Sequence, residues 1–176
     1  MSKFILGFVV GVILVPAAVA LYLISGRAPA AASDPPMLFE RMIAKNALQT
    51  RISKDMPASV PMEASEATYM AGAHIYKDHC AMCHGLPNQT PPAIARAMFP
   101  HAPQLFVKVG VTDDPPGETF WKAKNGIRLS GMPAFRSSLS DEQLWQVSLL
   151  LANADKLPAL AKQELAPAPT AIGPQK

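Results

Sequence analysis

Two cysteines in 176 residues are too few for a disulfide-dense scaffold, so a core, a bound group or both must hold the fold. Charge is also sparse: 16% of residues are charged against 49% hydrophobic, which excludes a disordered polyelectrolyte. No run of alternating apolar and polar residues reaches useful strand length, and no internal repeat is present. The net charge is only +3. Between Ser65 and Pro158 there are eight basic and eight acidic residues, so the excess lies in the flanks. A nucleic-acid binder has no basis in that distribution.

What is present begins at the N-terminus. Phe4 to Ile24 carries no charge and follows Met1-Ser2-Lys3. As a helix it would be about 31 Å long, enough to cross the hydrocarbon core of a bilayer. The rival reading is a cleaved export signal, with Lys3 as its basic start and Ala18-Val19-Ala20 as the cut site. The apolar run continues past that cut through Leu21 to Ile24, which favours a retained anchor. Either reading exports the rest of the chain. Gly7 and Gly11 form a GxxxG spacing, which commonly marks nothing beyond a lipid-facing surface.

Residues 25–36, rich in Pro and Ala, read as a flexible linker. Met37 to Lys54 then shows helical spacing at Leu38, Met42, Ala44, Leu48 and Ile52, a juxtamembrane helix expected to pack on its own domain. Ser65 caps a helix through Glu66 to Cys80, with Tyr69, Ala73 and Tyr76 on one stripe. Pro91 and Pro92 open a short helix ending before Pro100. Asp114-Pro115 opens another, which Gly126 closes. Ser140-Asp-Glu-Gln143 is a capping box at the head of Leu144 to Asn153. The Ala/Pro-rich stretch beyond Leu157 reads as disordered.

The chemistry concentrates in Cys80-Ala81-Met82-Cys83-His84, which uses both cysteines of the chain. Cys-x-x-Cys-His is the attachment run for c-type haem. Two thiols at this spacing reach the two vinyl groups on one porphyrin edge, and the adjacent His84 is carried beneath the iron. Haem c joined through Cys80 and Cys83 is therefore the expected cofactor. A redox disulfide would want a βαβ context, and a zinc site would want further ligands; neither is present in the sequence. Covalent haem also fits export.

A haem with a single protein ligand suits gas binding, whereas a second ligand makes an electron carrier. Met132 is the favoured second ligand. It lies in Ser130-Gly131-Met132-Pro133, 48 residues after His84, with Gly131 permitting close approach and Pro133 stiffening the loop. Met98 is its competitor, and His101 a lesser one. Met70 reads as packing, Met82 lies within the attachment run, and His74 and His79 read as solvent-facing.

Residues 66 to 154 resemble a class I c-type cytochrome. The matching segments are Ala71-Gly72-Ala73-His74-Ile75-Tyr76 leading to Cys80–Gly85, Asn125-Gly126-Ile127-Arg128, Gly131-Met132-Pro133-Ala134-Phe135, and Leu139 to Trp145. The resemblance implies an all-α class I cytochrome c fold around one haem, with His84 and Met132 as iron ligands; the apolar run at 4–24 places an N-terminal transmembrane helix before it. It implies a crossing of the first and last domain helices at Gly72, with Leu150 where an aromatic often stands. It also implies a proline carbonyl bonded to the proximal histidine, with Pro87, Pro91 and Pro92 as candidates. Trp121, Lys122, Asn125 and Arg128 are candidates for propionate contacts, with packing or exposure as the plain alternative.

The expected organisation is thus an anchor or signal peptide at 1–25, a linker with a juxtamembrane helix at 26–63, a haem domain at 64–157 and a disordered tail at 158–176. The expected function is electron transfer on the periplasmic face of a bacterial cytoplasmic membrane, with membrane redox donor and acceptor proteins as partners and residues 4–24 in the bilayer. Cleavage near Ala20 would instead give a soluble periplasmic protein. The other expectations are a subunit of a larger oxidoreductase or respiratory complex, and a haem-based gas sensor.

Overall fold

Ser65 and Ser140 start the two helices on which the C-terminal helical domain is built. In the computed structural model, which describes residues 2–107 and 114–167, the Ser65 hydroxyl accepts from the Thr68 amide at 3.2 Å. Ser140 and Gln143 form the full capping box, with Gln143 N donating to Ser140 Oγ at 3.2 Å and Ser140 N to Gln143 Oε1 at 2.9 Å. The elements in order are α1 (Ser2–Ile24), α2 (Glu40–Asp55), α3 (Glu66–Ile75), a π-helical turn (Tyr76–Cys80), α4 (Ala81–His84), α5 (Ala93–Ala97), α6 (Pro116–Asn125), α7 (Asp141–Ala152) and α8 (Ala159–Glu164). No strand occurs among the described residues. The fold is all-helical.

The chain divides into two units, Met1–Ala44 and Lys45–Lys176. In the first, α1 is long and apolar enough to cross a membrane, and none of its residues is buried. Local bonds shape the linker that follows: the Asp34 carboxylate accepts from the amides of Ala30 and Ala31, both at 2.9 Å. The Glu40 carboxylate accepts from the Met37 amide at 2.7 Å, so regular helix begins three residues later than the apolar spacing suggested.

The second unit starts well before residue 64, the expected domain boundary. The Ile52 side chain is fully buried within it, as is expected of a helix packed on its own domain. The helix expected to end at Cys80 instead continues through the π turn and α4 to His84, the Ala81 amide donating to the Tyr76 carbonyl five residues back.

α3 packs across α7 where Gly72 meets the Gln146 backbone; a β-carbon at Gly72 would stand 2.4 Å from the Gln146 oxygen and 3.1 Å from Leu150 Cβ. α6 lies against α7 through Phe120 and Trp145, whose rings stack at 4.2 Å between centroids. Ala73, Tyr76, Leu144 and Leu150 fill the space between. Each large apolar side chain buried in this way contributes about 1.5–3 kcal/mol.

The expected disordered tail is corrected for residues 158–167. Leu157, Ala161 and Leu165 are buried in the same core at helical spacing, and α8 rests on α3. Glu164 Oε1 meets Lys77 Nζ at 2.7 Å and His74 Nδ1 at 3.1 Å. The Pro and Ala content hid a short apolar stripe that the domain needs. The rest of that expected tail, 168–176, lies outside the described residues.

Candidate haem site

α4 carries Cys83 and His84, and Cys80, the last residue of the π turn, caps its start. Cys80 and Cys83 are free and partly buried, and Cys80 packs against the core. Burial first, and then neighbouring Cys83, pushes the Cys80 thiol up to about 12. Tyr76 braces the segment: its hydroxyl donates to the Gly85 carbonyl at 2.6 Å and its ring meets Phe106 edge-on at 4.9 Å.

His84 Nδ1 lies 2.7 Å from the carbonyl oxygen of Pro103. A carbonyl only accepts, so the neutral ring carries its proton on Nδ1 and leaves the Nε2 lone pair for a metal. Burial lowers the His84 pKa, and the Pro103 hydrogen bond opposes that only in part. Pro87, Pro91 and Pro92 do not supply this carbonyl. The chain leaves α4 at Gly85, runs through α5 and returns before its Pro103 oxygen meets the ring, so the partner lies 19 residues downstream. Proximity in sequence pointed to the wrong prolines. Only the Pro100-His101-Ala102-Pro103 punctuation hinted at an extended return.

Met132 sits half-buried in a loop closed by its own backbone. Ile127 N donates to Met132 O at 3.2 Å, Ser130 Oγ to Ile127 O at 2.6 Å, and Met132 N to Ser130 Oγ at 3.2 Å. Beyond it, Phe135 N and Arg136 N donate to the carbonyls of Ala123 and Lys124 at 3.0 and 3.3 Å, fastening the loop to the end of α6. Gly126 turns the chain out of α6 with φ +68°, a conformation few side chains tolerate. The His79 ring meets Phe135 edge-on at 6.1 Å, so the methionine loop and the attachment helix touch beside the site.

The other candidate residues are placed as follows. Met98 is half-buried with its sulfur against Gly131, 2.8 Å from where a β-carbon would be, so it backs the Met132 loop. Met70 packs against the core as expected, and Met82 and His101 are exposed. His74 and His79 are exposed but engaged, by Glu164 and Phe135 respectively. Among the propionate candidates, Lys122 is held by Glu118 at 2.6 Å and Asp114 at 3.1 Å. Burial disfavours that ammonium, yet the hydrogen bonds it donates to both carboxylates outweigh it and hold its pKa above the ordinary value. Asn125 Nδ2 donates to Trp121 O at 3.0 Å, and Arg128 is exposed.

The donor set fits a haem c: two thiols at the attachment spacing, a histidine whose Nδ1 is already bonded, and a thioether on a closed loop. Fold and site together define a monohaem class I c-type cytochrome domain. More particularly, residues 67–149 match the family described as "Cytochrome C oxidase, cbb3-type, subunit III". No match was found among curated proteins or among solved structures.

Proposed function

We propose that this chain is a membrane-anchored, single-electron carrier whose haem c is joined to Cys80 and Cys83 and held by His84 and Met132 on the exported face. The observation that carries the reading is the His84–Pro103 hydrogen bond, which aims a metal-ready Nε2 away from the ring's protein partner. The haem supplies an iron that takes one electron as Fe(III) and releases it as Fe(II). The protein's part is to keep both ligand positions fixed, so that little rearranges when the charge changes. A neutral thioether from Met132 favours Fe(II) and raises the potential.

Optical spectra of the purified protein test this. The oxidised form is expected to show the far-red methionine–iron charge-transfer band, and Met132→Ala to lack it. Survival of the band in that variant would overturn the ligand assignment. N-terminal sequencing tests the anchor: a mature terminus at Met1 or Ser2 supports it, and one at Leu21 refutes it.

The description of the matched family favours a second reading, in which the domain serves as a subunit of a larger oxidase. Mild detergent extraction separates the two readings. A single small haem protein supports the free carrier, and co-migrating large subunits support the complex.

A further inference from the structure

A segment upstream of the family match is built into the haem domain. From Gln49 to Pro57 the chain forms a strap across the first turn of α6. Its Ile52 side chain is fully buried. A β-carbon at Gly117 would stand 2.3 Å from the Pro57 carbonyl oxygen, so the close crossing requires glycine here.

Glu118 follows directly and is 5% exposed, the one charged residue among the described buried set. One oxygen of its carboxylate meets Lys122 Nζ at 2.6 Å, and the other accepts from Gln49 Nε2 at 3.3 Å. Asp114 binds the same ammonium at 3.1 Å. Ion pairs buried to this degree add little net stability compared with an apolar pair of the same shape. Their effect is geometric: the carboxylate is satisfied in one placement of α6 against the strap, and a shifted helix would leave it desolvated and unpaired.

The other end of α6 carries the methionine loop. The carbonyls of Lys122, Ala123 and Lys124 receive Gly126 N, Phe135 N and Arg136 N. Lys122 therefore takes part at both ends, its side chain in the Glu118 pair and its backbone in the turn toward Met132. Helix α6 has ten residues and is about 15 Å long, so any movement of its first turn is passed to the loop as a rigid body.

We propose that Glu118, clamped by Gln49 of the strap, is a positioning residue for Met132 and sets how firmly its sulfur holds the iron. This rests on the Met132 ligation proposed above.

The test is an imidazole titration of the oxidised full-length holoprotein, following loss of the far-red band. Imidazole competes with the methionine, so its apparent affinity reports how tightly the sulfur is held. Glu118→Gln and Gln49→Leu are each expected to raise that affinity about tenfold, a difference of about 1.4 kcal/mol in the competition. Leu165→Ala, at the buried C-terminal cap of α8, is expected to lower the melting temperature while leaving the affinity within about twofold of wild type. That control separates positioning from general loss of stability.

Wild-type affinity in Gln49→Leu together with wild-type affinity or absent haem in Glu118→Gln would overturn the proposal. So would an increase in Leu165→Ala as large as in the strap variants. Failure of the underlying ligation is seen separately, as a far-red band that persists in Met132→Ala.

Discussion

The carbonyl oxygen of Pro103 sits 2.7 Å from Nδ1 of His84 and joins two residues 19 positions apart. This bond makes the imidazole more basic, which favours the oxidised iron it would ligate. Pro103→Ala keeps the carbonyl but frees the backbone that aims it. The expected result is an attached haem with a midpoint potential higher by ~20 mV, about 0.5 kcal/mol for one electron. A redox titration checks it, and a lower potential would contradict the assigned role.

Each cysteine is expected to contribute its own covalent link. Cys83→Ala should leave one thioether and a haem that resists acid-acetone extraction, whereas the double Cys80→Ala, Cys83→Ala variant should release all its haem. Extraction of haem from the wild type would refute covalent attachment altogether.

At the helix crossing, Gly72→Ala places a methyl 2.4 Å from the Gln146 carbonyl oxygen, with backbone on both sides and no flexible group to yield. Overpacking of this sort costs about 1–3 kcal/mol. Denaturant unfolding should show a lower midpoint with an unchanged slope.

The last helix predicts a pH dependence. Glu164 is held below its ordinary value of 4.5, first by its hydrogen bond to Lys77, against partial desolvation and with further help from His74. A depressed carboxylate stabilises the fold above its unfolded pKa and loses that effect as the pH falls through its folded pKa. Glu164→Gln should therefore melt below the wild type at neutral pH, and the two curves should converge below about pH 4. A gap that persists in acid would show that the pair acts through packing rather than charge. Separately, Leu165→Ala removes a side chain that is 1% exposed and should cost about 2–5 kcal/mol.

How much of this was legible depends on how far apart the interacting residues lie in the chain. The Cys80-to-His84 run and the Ser140–Gln143 box bind within a turn of themselves, so their chemistry is written in adjacent letters. The Gly72 crossing was legible through resemblance, and the packing around Gln146 and Leu150 agrees with it. Pro103 was not, because an excursion through α5 intervenes. The same holds for the strap: Gln49 is polar and exposed on a polar helix, and only the fold reveals that it faces Glu118. In the tail, Leu157, Ala161 and Leu165 do recur at helical spacing, but their Pro-rich surroundings concealed it.

The π turn at Tyr76–Cys80 has a consequence for chain length. Its five-residue bond from Ala81 back to Tyr76 accommodates one residue more than an α-helical turn would. A regular α-helix here with every residue kept would rotate everything after the turn by about 100° about the axis. The Tyr76–Gly85 brace and the His84–Pro103 bond would both lose their aim, although every chemical group of the attachment run would still be present. At this point the number of residues, and not only their identity, is part of the ligand geometry.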